Sequence, residues 1–140
     1  VDGRSVAALL GQDAARVCKT LVTQGTSGRF YVFVVPALGE LDLKAAARAM
    51  LPERVAYWST VMGVRPAGIK ITTAKKRYGS CSSKHSLCFS CYLMRSPMEA
   101  VDLVVVHELC HIQEMNHGPR FYALLERYLP DWRERKRLLV

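Results

Sequence analysis

Apolar positions along this chain recur at two periods, one helical and one strand-like. Val6, Leu9, Leu10, Val17 and Leu21 fall mostly on one face of a 3.6-residue repeat, which predicts a helix over residues 5 to about 24, stopped at Gly25. TSGRF reads as a loop, and FYVFVV as a short buried strand ended by Pro36. From Asp42 to about Val61 the spacing is helical again, with Pro52 inside it, so a kink or two helices are expected. GIKITTA alternates as a strand does. KKRYGSCSSKHS is polar and reads as a turn or irregular edge. LCFSCYL is the next strand, and the two are expected to pair as a hairpin.

The pattern then changes. In SPME, Ser96 reads as an N-cap, Pro97 as the first helical residue and Glu99 as its capping-box partner. The run AVDLVVVHELCHIQEM that follows is apolar on almost every face as far as Ile112. Such a helix belongs inside a core. It nevertheless carries His107, Glu108 and His111, which are costly to bury without a purpose.

Spacing supplies the purpose. Positions i and i+4 share a helix face, so His107 and His111 can present two imidazoles to one metal ion. Glu108 is offset by about 100°, beside the metal, where it can take a proton from an activated water. A catalytic zinc usually has three protein ligands and one open position. His117 is the natural third, but on a continuing helix it would lie about 15 Å from His107 along the axis. The chain must therefore turn back. Asn116 suits a left-handed helix end, Gly118 eases the turn, and Pro119 forbids continuation. Glu114 and Glu126 are the alternative third ligands.

Composition narrows the setting. At 140 residues, half of them apolar, the chain is long enough to bury a core and reads as a single domain over 1–140. It opens on Val rather than Met, so a piece of something longer is expected. VDGRSVAALLG is not expected to be a signal peptide, and no apolar run approaches the roughly 20 residues of a membrane span. Five cysteines with no secretion signal point to a reducing, cytoplasmic setting. Cys88 and Cys91 have CxxC spacing but no second pair, and on a strand they point to opposite faces, so they are read as thiols rather than zinc ligands. Cys110 is read as packing. The net charge of +8, with Lys75, Lys76, Arg77 and the tail RERKR, allows weak association with nucleic acid, although an amphipathic surface helix accounts for the tail more simply.

The spacing HExxHxxxxxH occurs in metzincins, but Glu114 stands where they have Gly and no Met-turn follows His117. From Arg77 to Leu139 the chain resembles the YgjP-like metallopeptidases. The resemblance is carried by RYGSC (77–81), LCFSCYL, SPMEAVDLVVVHELCH, Asn116–His117, Phe121 and Pro130–Asp131, with Tyr78 where that family usually has Trp. HGPRF (117–121) is also similar to SprT-like proteases, which cleave proteins crosslinked to DNA.

The resemblance implies an α+β, compact zincin-like fold. A small mixed or antiparallel sheet would pack on helices, the active-site helix among them. It also implies that an extended substrate pairs with a sheet edge near residues 79–90, so Arg77, Tyr78, Gly79 and Ser80 are candidate substrate contacts. The expected function is a zinc-dependent peptidase or related amide hydrolase. Its substrate would be a peptide or protein, its cofactor Zn2+, and Glu108 its general base. Tyr122 and Tyr128 are oxyanion donors by type only. A DNA-associated protease and a catalytically silent zincin are the alternatives.

Overall fold

The computed structural model describes residues 18–24, 30–36 and 42–140. The chain divides into two compact units, Val1–Asp42 and Leu43–Val140. In the first, strand β1 (Cys18–Gln24) pairs antiparallel with β2 (Phe30–Pro36), Leu21 opposite Phe33. The strand at FYVFVV is as expected. The helix expected to run to residue 24 is not, because residues 18–24 are extended, and residues 5–17 lie outside the described residues. Thr20, Val22 and Thr23 are β-branched, and a paired neighbour outweighs the weak helical spacing of Val17 and Leu21.

The second unit opens with α1 (Leu43–Met62), a single helix in spite of Pro52. Pro52 and Arg48 are both exposed. The Arg48 carbonyl, which loses its helical donor at position 52, can therefore turn to water, and two separate helices are not needed. Ala47, Leu51, Val55 and Met62 form the buried face.

Three strands follow: β3 (Gly68–Thr72), β4 (Gly79–Cys81) and β5 (Ser86–Ser90). They lie in the order β3-β5-β4, with β3 parallel and β4 antiparallel to β5. The sheet is thus mixed, and the expected hairpin between β3 and β5 does not form. The hairpin is β4–β5, closed by Ser82 and His85, with His85 at φ 58. Leu87 and Phe89 explain the order. Both are fully buried, and the central strand is where a sheet covers its apolar residues best. GSC has no apolar alternation to announce a strand. LCFSCYL is extended only to Ser90, and Cys91–Arg95 is a 3-10 helix whose Tyr92 N–H donates to Ser90 Oγ.

Helix α2 (Met98–Gln113) crosses beneath the sheet, and 11 of its residues are buried. Pro97, not Ser96, is its N-cap. The capping box is absent because Ser96 is engaged elsewhere: its N–H closes the 3-10 helix on Leu93, and its Oγ accepts from the Val140 N–H at 3.1 Å. Helices α3 (Pro119–Tyr128) and α4 (Trp132–Arg137) complete the unit, with Phe121, Leu125 and Leu129 in its core. Among the described residues no helix is long and apolar enough to cross a membrane. The second unit has the α+β arrangement expected, a small mixed sheet packed on a central helix.

Candidate metal centre

Two consecutive turns of α2 carry His107, Glu108 and His111. The helix ends at Gln113, and its C-cap Glu114 is extended at φ −133, ψ 98. No residue from 114 to 118 has positive φ, so Asn116 does not form the left-handed end expected of it. The reversal lies between two extended residues, Glu114 and Gly118, and is tightened at His117 by the Gly118 N–H donating to the Asn116 carbonyl at 2.8 Å; Gly118 is the N-cap of α3 and Pro119 lies in its first turn. Its effect is the one the sequence required. His117 returns to the helix, with its Nε2 3.0 Å from His107 Nε2. One nitrogen from each of His107, His111 and His117 lies within 4.8 Å of the others.

This donor set fits a metal ion. Nitrogens at about 2.0–2.1 Å from a tetrahedral zinc sit about 3.3 Å apart. Burial and the neighbouring His111, His117 and Lys136 push the His107 imidazole down to about 4, and burial also lowers His111. Both are therefore neutral near pH 7, as ligands must be. His111 Nδ1 lies 3.2 Å from the Glu114 carbonyl, an acceptor that favours a proton on Nδ1 and leaves Nε2 for a metal. Phe121 supports the cluster from below, its ring 4.8, 4.6 and 4.7 Å from those of His107, His111 and His117. In the sequence Phe121 stood only among the residues that carry the family resemblance; an aromatic four residues after a candidate ligand was the available signal.

Glu108 is 6% exposed beside this cluster. Burial lifts its carboxyl to about 7, against the opposing pull of Arg77. The same environment silences the nearby thiols. Burial and the Glu108 charge raise Cys81, and push Cys110 up to about 12. Of the alternative ligands, Glu126 accepts from Trp132 Nε1 at 3.3 Å and from Arg133 at 2.9 Å. Glu114 is the helix C-cap, and its carbonyl serves His111.

The candidate substrate contacts are distributed unevenly. Tyr78 and Gly79 line a cavity of about 220 Å³ together with His107, Glu108, Leu103 and Trp132, and Lys136 and Tyr122 also border it. Arg77 is exposed and acts on Glu108 through its charge. All four candidates, Arg77, Tyr78, Gly79 and Ser80, line a second depression with Thr72 and Cys88, so only Tyr78 and Gly79 border both. Among the described residues β4 is an edge strand. The Tyr78 carbonyl accepts from Ser90 N–H and the Ser82 N–H donates to Ser86. By antiparallel alternation the polar groups of Gly79 and Cys81 then point to the open edge. Tyr122 stacks on Trp132 at 5.6 Å, with its ring 6.4 Å from His117; Tyr128 packs against the core.

One polar feature escaped the sequence altogether. Arg54 of α1 donates to both carboxylate oxygens of Asp102 of α2, at 2.7 and 2.9 Å, and both residues are buried. An aspartate inside an apolar helical run was the signal, because a buried charge requires a partner.

Comparison with known proteins agrees with this geometry. Among curated proteins none matches the chain. Solved structures share its fold, two crystal structures of metallopeptidase zymogens among them. The metallopeptidase zymogen abylysin of Pyrococcus abyssi aligns at 16% identity and TM-score 0.57, over 63% of this chain and 90% of that one. The metallopeptidase zymogen jannalysin of Methanocaldococcus jannaschii aligns at 23% identity and TM-score 0.53, over 69% of this chain and 92% of that one. The YgjP-like metallopeptidase domain matches residues 37–140, a span that contains the sheet, α2 and all three converging histidines. On that match the chain belongs to the YgjP-like metallopeptidase family.

Proposed function

We propose that the chain is a zinc peptidase in which His107, His111 and His117 hold the metal and Glu108 is the general base. The observation that carries this reading is the convergence of three imidazole nitrogens within 4.8 Å beside a buried carboxylate. A zinc ion there supplies Lewis acidity toward a water and a scissile carbonyl. The rest falls to the protein. Glu108 takes the water's proton and returns it to the leaving amine, and a carboxyl lifted to about 7 suits a group that must do both near neutrality. The free edge of β4 offers the N–H and C=O of Gly79 and Cys81 to an extended peptide, which would pair as an added strand. The cavity bordered by Leu103, Val104, Leu125 and Trp132 opens at His107 and Glu108 and suits an apolar side chain of that peptide. The free thiols Cys81, Cys88, Cys91 and Cys110 support a reducing, cytoplasmic setting.

The test is to measure zinc and hydrolysis of one peptide substrate, found by a library digest, in four proteins. The wild type is expected to bind about one zinc per chain, in line with a single three-histidine site. Glu108→Gln should keep its zinc and lose about 10²–10⁴-fold in turnover. His107→Ala and His117→Ala should lose metal and activity together, and His117→Ala should keep its core because His117 is exposed and beyond α2. Zinc-loaded Glu108→Gln turning over at the normal rate would overturn the reading.

A further inference from the structure

Gly79 sits in a strand, where glycine is ordinarily unfavourable because it loses the most backbone freedom and packs nothing. Its backbone does not call for glycine, since among the described residues the only glycine with positive φ is Gly63. The space around it does. A Cβ at position 79 would lie 2.7 Å from Glu108 Oε1, 2.8 Å from its Cγ and 3.0 Å from its Cδ. All three atoms belong to one side chain and span its length, so a tip rotation would not relieve the clash. Nor can the strand readily move away. It is pinned to β5 by the bonds of Tyr78 and Ser82, with Gly79 opposite the fully buried Phe89. By contrast, a Cβ at Gly68 of β3 would meet only Ser86 Oγ, at 3.9 Å.

We infer that Gly79 is a positioning residue for the reaction: its missing side chain lets β4 lie directly on Glu108 and hold that carboxylate in the site. The inference rests on Glu108 being the base. It gives position 79 a role different from a substrate contact through a side chain. The strand that would pair with substrate also forms the ceiling over the base, so the two are held in one fixed relation.

Gly79→Ala separates these roles. Alanine keeps the N–H and C=O that would pair with a peptide, so zinc content and KM should stay near wild type. Turnover should fall at least about tenfold, a share of the 10²–10⁴-fold a general base contributes. In a Glu108→Gln background, where no base remains to be displaced, adding Gly79→Ala should leave the residual kcat within about twofold. An equal fractional loss in both backgrounds, or a raised KM with kcat intact, would overturn the inference.

Thermal melting provides the second arm and serves also where Gly79→Ala folds poorly. Glu108→Ala removes all three clashing atoms, so in that background Gly79→Ala should cost no more than the Gly68→Ala control. The same large loss with and without Glu108 would sink the idea. If Glu108→Gln keeps full turnover, the general-base reading fails, and the melting comparison alone decides whether position 79 holds Glu108.

Discussion

His107 and Glu108 are neighbours on α2, and burial moves them in opposite directions, the imidazole down to about 4 and the carboxyl up to about 7. The signs have separate consequences for metal-free protein. Between about pH 4 and 6.5 the unfolded chain protonates this histidine and the native chain does not, so His107 makes stability rise with pH. Between about 4.5 and 7 the native chain holds the Glu108 proton and the unfolded chain does not, so Glu108 makes stability fall as pH rises. The two slopes oppose each other. Glu108→Gln removes the falling one, and groups common to both proteins cancel in the difference. In metal-free protein its stability should therefore gain on the wild type as pH goes from about 4.5 to 7. Urea midpoints of both proteins across that range would show it, and parallel curves would contradict it. At this scale the sequence was informative about which residues act, because HELCH states its own geometry through the helical repeat. It offered Gly79 only as a candidate substrate contact and gave no sign of its contact with Glu108, a residue far along the chain.

At the scale of elements, the buried ion pair between α1 and α2 joins residues 48 apart. Arg54 is 2% exposed and Asp102 0%. Removing one partner takes the bidentate ion pair away from a charge that stays buried. Arg54→Met should cost about 3–5 kcal/mol, while Arg54→Met/Asp102→Leu should recover most of it. Denaturant unfolding of both variants measures this, and a double variant no better than the single would show that the bidentate pair itself carries the stability. Elements with a strong period were legible: α1, α2 and the strands at 30–36, 68–72 and 86–90. Elements defined by partners were not. β4 is only three residues long, Gly-Ser-Cys, and is a strand only because β5 lies beside it. Residues 18–24 carry a pattern that serves helix or strand, and pairing with β2 decides it. Ser96 has the composition of a cap and is drawn instead into a bond with Val140.

At the scale of the whole molecule, the three histidines come from two structural contexts, a rigid helix and the segment that leads into α3. A metal held by all of them would bind the native chain and not the unfolded one. At a free zinc concentration 1,000 times its Kd the added stability is about 4 kcal/mol. For a unit of this size that corresponds to a rise in Tm on the order of 10 °C or more. Melting with zinc and with a chelator should show the shift in the wild type, and His117→Ala should show little of it. A wild-type Tm indifferent to chelator would mean that the three nitrogens do not share an ion. The basic tail has a local explanation at the same scale: Arg133 and Arg135 are committed to Glu126 and Asp131 at 2.9 Å, as on an ordinary surface helix.

The sequence by itself determined what depends on near neighbours. It specified a buried helix with two imidazoles one turn apart, a carboxylate beside them, and a helix stop that forces a third histidine to turn back. Each is written in spacings of a few residues, where backbone geometry leaves few choices. Only the tertiary structure decided which strand edge covers Glu108, which strand lies at the centre of the sheet, which arginine neutralises Asp102, and that one phenylalanine supports all three histidines. These depend on pairs distant along the chain. No local period encodes such a pair, and many partners would satisfy each residue until the others are packed.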